Sequence, residues 1–162
     1  MENIKLYEVD AAYIDYLSVH AVHLFRNKKP GQQHERKYIG VVLCVNGMNY
    51  FAPLSSFKEK HRAMKPGLDF MKVKDYAVIN LNNMFPVPDG CCTYVDIHEV
   101  SDYRYKTLLQ AEYRIIKSMQ DRIRKNAALV YNHKLKNGNS TALAKRCNDF
   151  EKLEALCRAY SE

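Results

Sequence analysis

Two β-rich segments joined by Asn-Gly constrain the fold of this chain more than any other feature. The first, residues 37–45, is nearly continuous in apolar residues, and the second is residues 48–54, with Asn46 and Gly47 between them. Asn-Gly is typical of a type I′ turn, in which both central residues need a positive φ angle. The pattern predicts a hairpin whose first strand is buried on both faces of a closed or covered sheet.

The end of this hairpin delivers polar residues to the rim of the sheet. Pro53 cannot donate a hydrogen bond to a strand ladder, so the second strand is expected to end there or to lie on an edge. A run of hydroxyl and cationic residues, Ser55 to Arg62, follows directly. The sequence therefore predicts a polar, positively charged cluster at the hairpin's open end.

The remaining chain divides into a β-rich first part and a helical second part. Strands are expected at 5–9, 68–71, 77–81 and 92–97, and helices at 11–19 after Asp10, from Ser101 or Asp102 to about 137, and from Ser140 or Thr141 to Tyr160. A chain of 162 residues is the size of one ordinary domain. We predict a single α+β domain over residues 1–162, β-rich at 1–100 and helical at 101–162. Its core is a compact, strongly curved antiparallel β-sheet or barrel with helices, mainly C-terminal, packed against it.

Charge provides the first indication of a partner. The chain carries 25 Lys and Arg against 18 Asp and Glu, a formal net charge of +7. Between residues 26 and 74 the balance is 11 basic residues against 3 acidic ones. A basic surface attracts polyanions such as nucleic acid through counterion release, although a solvated basic face would show the same composition.

The sequence gives no support for several other classes of protein. No apolar run is long enough to span a membrane and the N-terminus lacks a signal-like pattern, so a cytoplasmic protein is expected. The five cysteines contain no Cys-x-x-Cys pair and the six histidines no His-Glu-x-x-His pattern, so neither a metal site nor a cofactor is predicted. Nucleophile-elbow, Walker and dinucleotide-binding motifs are also missing.

The cluster from Ser55 to Arg62 contains the residue types needed to cleave a phosphodiester through the neighbouring 2′-hydroxyl. That reaction needs a base for the 2′-proton, donors and cations to stabilise the phosphorane, and an acid for the leaving 5′-oxygen. The nucleophile belongs to the RNA, so no metal is required. The alternative interpretation is that Ser55 and Ser56 cap a turn and the lysines are simply solvated.

A set of motifs in matching order and spacing resembles one known family. The strongest segments are Tyr38-Ile-Gly-Val-Val-Leu, Asn46-Gly47, Tyr50-Phe-Ala-Pro-Leu-Ser-Ser56, Lys58, His61 and Ile79-Asn-Leu-Asn-Asn-Met-Phe-Pro-Val87, with weaker matches at Tyr105-Lys-Thr-Leu-Leu and Ile123. The chain resembles the ribonuclease toxins of type III toxin-antitoxin systems, the ToxN/AbiQ family. The resemblance covers most of the β-rich part and continues more weakly into the helices.

The resemblance implies a metal-independent, sequence-specific endoribonuclease that leaves 2′,3′-cyclic phosphate and 5′-hydroxyl ends and has a fold similar to small mRNA-cleaving toxins. It implies inhibition by a small, repeat-derived RNA antitoxin, expected to form a pseudoknot, which the toxin itself processes. Toxin and RNA would close into a ring-like assembly. Growth inhibition and abortive phage infection, with cellular and phage RNA as substrates and neither DNA nor a membrane as partner, are the implied biology.

The resemblance also assigns roles to individual residues. The catalytic set is Arg36, Ser55, Ser56, Lys58 and His61, in which either Lys58 or His61 could be the acid. The RNA-binding residues are expected from the distribution of basic residues and not from the resemblance; they are Lys28, Lys29, Lys37, Lys60, Arg62, Arg114, Lys117, Arg122 and Lys125. Some relatives have a tyrosine shortly before the position of Arg36; here the loop reads Gln32-Gln-His34-Glu, which leaves His34 or Lys28 as substitutes. A non-catalytic, basic RNA-binding module is the competing function.

Overall fold

The computed structural model describes residues 2–21, 23–24 and 34–160. Its seven strands are β1 (Lys5–Val9), β2 (Lys37–Val45), β3 (Met48–Ser56), β4 (Phe70–Val73), β5 (Ala77–Asn80), β6 (Phe85–Val87) and β7 (Cys92–Tyr94). They form one antiparallel sheet in the order β4-β5-β3-β2-β1-β7, with β6 also paired to β3. The sheet is curved and open in the described part of the chain. Of the two predicted alternatives, a curved sheet or a barrel, the structure therefore has the curved sheet.

The hairpin of β2 and β3 is confirmed. Asn46 and Gly47 adopt φ angles of 54° and 76°, the positive values that a type I′ turn requires. The turn sets the register next to it, in which Val45 lies opposite Met48, and an irregularity between Ile39 and Leu43 shifts the pairing so that Lys37 lies opposite Leu54. Because β2 and β3 are central strands of the sheet, the hairpin is the framework on which the other elements assemble.

The predicted effect of Pro53 is wrong, since β3 continues through it to Ser56 in the middle of the sheet. On one side Pro53 lies opposite Tyr38 of β2. On the other side β3 changes partner: Phe51 is the last residue paired with β6, and Leu54 is the first paired with β5. Pro53 falls between those two ladders, where a missing N–H interrupts neither of them.

Five helices complete the fold: α1 (Ala11–Ser18), α2 (Glu59–Ala63), α3 (Tyr103–Asn137), α4 (Ala142–Arg146) and α5 (Phe150–Ala159). The predicted limits of α3 are confirmed. Asp102 accepts hydrogen bonds from the backbone N–H groups of Arg104 and Tyr105, and Gly138 ends the helix with a φ of 58°. Asp10 precedes α1 as predicted, but its side chain makes no capping hydrogen bond.

The C-terminal helix was predicted as one element and is two. Thr141 caps α4 and Asp149 caps α5, with an extended connection at residues 147–149. There the backbone N–H of Asn148 donates to the Asn82 carbonyl at 2.9 Å, and its side-chain amide donates to the Met84 carbonyl at 3.1 Å. These bonds to a distant part of the chain hold the connection against the sheet and break the helical pattern.

Some short elements depart from the sequence-based boundaries. The strand expected at 68–71 is β4 at Phe70–Val73, and the one expected at 92–97 ends at Tyr94. The predictions also lack strand β6 and the 3-10 turns at Leu81–Asn83, Asp89–Cys91 and Ile97–Glu99. Segments of three residues carry too little periodicity to be recognised.

Helix α3 covers one face of the sheet with a continuous buried stripe. The stripe consists of Leu109, Glu112, Ile116, Met119, Ile123, Ala127, Val130 and Tyr131. Its apolar members pack with Ile39, Val42 and Tyr50 of the hairpin in the larger of two core clusters. Among the described residues, no helix has the length and apolar character needed to cross a bilayer.

Candidate active site

The open end of the hairpin brings Arg36 and Ser55 into direct contact. Because Lys37 lies opposite Leu54, the residue before Lys37 and the residue after Leu54 are neighbours across the two strands. The guanidinium Nη1 of Arg36 donates a hydrogen bond to Ser55 Oγ at 2.7 Å. Burial lowers the pKa of Arg36, yet the guanidinium group stays charged at neutral pH. A cation and a hydroxyl are thus held together at the sheet's rim.

Ser56 is the second hydroxyl of the pair, and it is exposed. Among the described residues its hydroxyl has no hydrogen-bond partner, so it can bond to a ligand. Arg36, Ser55 and Ser56 line two cavities at once, because they form the ridge between them. A ligand bound on this ridge can therefore reach groups on both sides.

The first cavity has a volume of about 280 Å³ and lies between the hairpin and helix α3. The hairpin side provides residues 34–37 and 54–56, and α3 provides Tyr105, Leu108, Leu109 and Glu112. In the sequence Tyr105 belongs to the weaker family match, and neither Tyr105 nor Glu112 was predicted to be part of the site. For Glu112 the sequence does contain a signal: it is the one acidic residue in the stripe of eight buried positions on α3.

A stacked pair lies at the mouth of the first cavity. The rings of His34 and Tyr105 are parallel within 3°, with centroids 3.8 Å apart, and His34 Nε2 is 3.2 Å from an Asp102 carboxylate oxygen. Lys37 Nζ is 5.3 Å from the centre of the Tyr105 ring. His34, which was considered as a substitute for the missing tyrosine, lines this cavity, and Tyr105 supplies a tyrosine to it from helix α3.

Lys37 was predicted to bind RNA, and the structure places it in a buried position. Its ammonium donates to the Glu35 carbonyl at 3.0 Å and forms an ion pair with Glu8 at 2.8 Å. Burial lowers the pKa of Lys37, but the hydrogen bonds to Glu8 and Tyr105 and their charges outweigh it, so the pKa is raised overall. The charge of Lys37 is already balanced by Glu8, which leaves less of it for a phosphate.

The second cavity, about 380 Å³, contains the remaining predicted catalytic residues, Lys58 and His61. His61 is only 7% exposed and packs between the rings of Phe57 and Phe70. Its Nδ1 accepts the backbone N–H of Lys58 at 2.8 Å. Burial, reinforced by the charges of nearby lysines, lowers the pKa of His61. His61 is therefore neutral at neutral pH, with its proton on Nε2 as a hydrogen-bond donor.

Cations surround the second cavity. Lys58 and Lys60 are exposed on its lining. Arg62 lies 5.4 Å from the centre of the Phe57 ring and forms an exposed ion pair with Glu59 at 3.4 Å. A phosphate backbone leaving the Arg36–Ser56 ridge would meet Lys58 and Lys60, which form no ion pair with any described residue, and one partly neutralised arginine.

Four predicted RNA-binding residues lie elsewhere. Arg114, Lys117, Arg122 and Lys125 are exposed on α3. At 100° per residue they fall within a sector of about 140°, opposite the buried stripe that contains Glu112. They form a basic face separate from the two cavities. Lys28 and Lys29 lie outside the described residues.

Comparisons with known proteins agree on one family. The model of the family described as toxin ToxN of type III toxin-antitoxin systems matches residues 5–158. The endoribonuclease ToxN of Bacillus thuringiensis subsp. kurstaki is 32% identical over 169 residues, covering 99% of this chain and 86% of that protein.

Solved structures extend the agreement to the fold. A type III toxin inhibited by a non-coding RNA pseudoknot superposes with a TM-score of 0.80 at 30% identity, covering 99% of each chain. The lactococcal anti-phage endoribonuclease AbiQ superposes with a TM-score of 0.82 at 25% identity, covering 98% of each chain. This chain belongs to the ToxN toxin family of type III toxin-antitoxin systems.

Proposed function

We propose that this protein is a metal-independent, sequence-specific endoribonuclease toxin that cleaves RNA by attack of the 2′-hydroxyl, leaving 2′,3′-cyclic phosphate and 5′-hydroxyl ends. The observation that carries the proposal is the 2.7 Å contact between Arg36 and Ser55 beside the exposed hydroxyl of Ser56. A fixed cation and hydroxyl donors are the groups that stabilise a phosphorane. The endoribonuclease activity of the related ToxN and AbiQ proteins supports the same reaction class.

Each group has a role in this proposal. Arg36 balances the charge that develops on the non-bridging phosphate oxygens, and Ser56 donates to one of them. Neutral His61 donates a hydrogen bond from Nε2 to the phosphate on the second-cavity side, while Lys58 adds positive charge. The substrate supplies the nucleophile, so only RNA can be cut, and a DNA strand is left intact.

The proposed regulator is a small structured RNA cut from a repeat precursor by the toxin itself. The related toxin inhibited by an RNA pseudoknot supports this partner. The basic face of α3 lies on the opposite side of the helix from the first cavity, which suits RNA binding at two places on one protomer. Alternating contacts of that kind would produce the ring-like toxin–RNA assembly. The proposed outcome is growth arrest in the cytoplasm that aborts phage infection.

The test is incubation of the purified protein with RNA in EDTA, followed by analysis of the product ends. Cyclic phosphate and 5′-hydroxyl ends support the proposal. Cleavage that stops in EDTA and returns with a divalent cation would overturn its metal independence. Intact RNA with a strongly salt-dependent mobility shift would instead support the non-catalytic RNA-binding module.

A further inference from the structure

Glu112 is a buried carboxyl group that the proposed mechanism leaves without a role. It is 5% exposed and lies on the stripe of α3 that packs against the sheet. The neighbouring stripe positions, Leu109 and Ile116, are apolar and almost fully buried. Glu112 makes no hydrogen bond or ion pair with any residue that the structure describes. Because Glu112 lines the first cavity, its carboxyl group is open to a ligand bound there.

The carboxyl group borders the first cavity, across from the Arg36–Ser55 pair. The titratable and charged groups that share this cavity are His34, Glu35, Arg36, Lys37 and Tyr105. His34 contacts the Asp102 carboxylate and Lys37 forms an ion pair with Glu8. Arg36 donates a hydrogen bond to Ser55. No cation among these described groups is paired with Glu112, so nothing there holds it in the ionised form.

Burial raises the pKa of Glu112 to about 7. A bound RNA strand would bring a phosphate charge close to the carboxyl group. That charge disfavours a second negative charge and raises the pKa of Glu112 further. With substrate bound at neutral pH, Glu112 is therefore a carboxylic acid that carries a proton.

The other residues considered for the acid fit that task less well. His61 uses Nδ1 to accept the Lys58 N–H, so a second ring proton would break that bond. Its pKa is also lowered, which leaves few cationic rings at neutral pH. Lys58 is exposed and lines the second cavity, whereas Glu112 lines the first.

We propose that Glu112 is the general acid of the cleavage reaction, protonating the 5′-oxygen as it leaves. This inference rests on the proposed function. The 2′-oxygen forms a bond to phosphorus and passes its proton to water in the open cavity, while the bond from phosphorus to the 5′-oxygen breaks. Glu112 gives its proton to that oxygen and regains one from solvent. The products are a cyclic phosphate and a neutral 5′-hydroxyl.

A substrate with sulfur in place of the bridging 5′-oxygen tests the proposal directly, because a thiolate leaves without being protonated. The RNA is one that the wild type cuts, with the substitution at the mapped cleavage site. We expect Glu112→Gln to slow single-turnover cleavage of the 5′-oxygen substrate by roughly 10²- to 10⁴-fold. Cleavage of the 5′-sulfur substrate should fall by less than about tenfold, because a sulfur leaving group does not need general acid catalysis.

The matched control is Asp121→Asn, which makes the same chemical change at an exposed position of the same helix. It should leave both rates unchanged. The assignment is overturned if Glu112→Gln cuts the 5′-oxygen substrate at the wild-type rate. It is also overturned if the cleavage rates with the two substrates fall by the same factor. If the wild type itself cuts no RNA, the proposed function fails first, and the two failures are thus distinguishable.

Wild-type protein alone provides a second test that does not depend on folding of the variant. As pH rises and Glu112 loses its proton, the rate with the 5′-sulfur substrate should increase relative to the rate with the 5′-oxygen substrate. A ratio that stays constant from about pH 5 to about pH 9, roughly two pH units on each side of the raised pKa of Glu112, overturns the proposal.

Discussion

The guanidinium of Arg36 and the hydroxyl of Ser55 are joined by a 2.7 Å hydrogen bond across the open end of the β2–β3 hairpin. The Asn46-Gly47 turn starts the pairing of the two strands, and an irregularity between Ile39 and Leu43 then shifts it by two residues, so that Lys37 lies opposite Leu54 and Arg36 beside Ser55. One end of the hairpin is therefore a tight turn and the other is a cation held next to two serines. The strand pairing that stabilises the hairpin therefore also fixes the position of the Arg36 charge.

Removing the charge of Arg36 should affect chemistry more than binding. We expect Arg36→Ala to lower the single-turnover rate by roughly 10²- to 10³-fold, or about 3 to 4 kcal/mol, the loss typical of removing a donor that stabilises developing charge. Lys152→Ala, which removes an exposed cation from α5, is the control and should leave the rate unchanged. Equal rates for wild type and Arg36→Ala would contradict the role assigned to Arg36.

Ser56 is expected to be needed for cutting and dispensable for antitoxin binding. Ser56→Ala should abolish toxicity and RNA cleavage while the antitoxin RNA is still bound, since a single exposed hydroxyl contributes little to a large basic interface. Growth assays, cleavage assays and gel shifts measure the three quantities. Ser118→Ala, at an exposed position of α3, is the matched control. A Ser56→Ala protein that cuts RNA at an undiminished rate would show that the assignment is wrong.

Glu112 should make the stability of the protein depend on pH in an unusual direction. Its folded-state pKa is raised from 4.5 to about 7, so between those pH values the folded state binds more protons than the unfolded state. The contribution of Glu112 to the free energy of unfolding is fully present below pH 4.5. It is lost as pH rises through 7, by about 3 kcal/mol in total.

Urea denaturation of wild type and Glu112→Gln at pH 5 and pH 8 measures this effect. The free energy of unfolding of the wild type should fall relative to that of the variant as pH increases, while other titrating groups cancel in the difference. A difference that does not change with pH would mean that Glu112 is not buried as a carboxylic acid in solution.

A second buried carboxylate, Glu154, connects α5 to the hairpin and to α3. Its oxygens accept hydrogen bonds from Tyr50 at 2.6 Å, Tyr131 at 2.7 Å and Asn46 at 3.0 Å. Burial raises its pKa, but these three hydrogen bonds outweigh burial and the net pKa is lowered. The stabilisation is therefore present above the ordinary glutamate pKa and is lost as pH falls through the lowered one.

Tyr131→Phe removes one donor to Glu154 and keeps the ring. We expect it to reduce the free energy of unfolding at pH 7 by about 1.5 to 3 kcal/mol, the range for hydrogen bonds to charged groups. Tyr103→Phe is the control, because Tyr103 is 79% exposed. Denaturation at low pH should show a smaller loss for Tyr131→Phe, and a loss that is the same at all pH values would contradict a bond to an ionised Glu154.

Local sequence signals were sufficient for the hairpin and the limits of α3. Asn46-Gly47, Asp102 and Gly138 act through backbone angles or hydrogen bonds within a few residues, so the neighbouring residues in the sequence contain the necessary information. The turn does not determine the register at the open end, where Arg36 meets Ser55, because the irregularity between Ile39 and Leu43 shifts the pairing by two residues. The family resemblance identified the same cluster independently.

Contacts between distant segments could not be obtained that way. Whether the C-terminal helix is continuous depends on Asn148, whose hydrogen-bond partner Met84 lies 64 positions earlier. Pro53 is tolerated in a central strand because β3 exchanges β6 for β5 at that point. Glu112 and Tyr105 join the site only because α3 packs across the end of the hairpin. Periodicity shows which face of a helix is buried, but the surface that covers this face, and hence the surroundings of a carboxyl group on it, depends on how the whole chain packs.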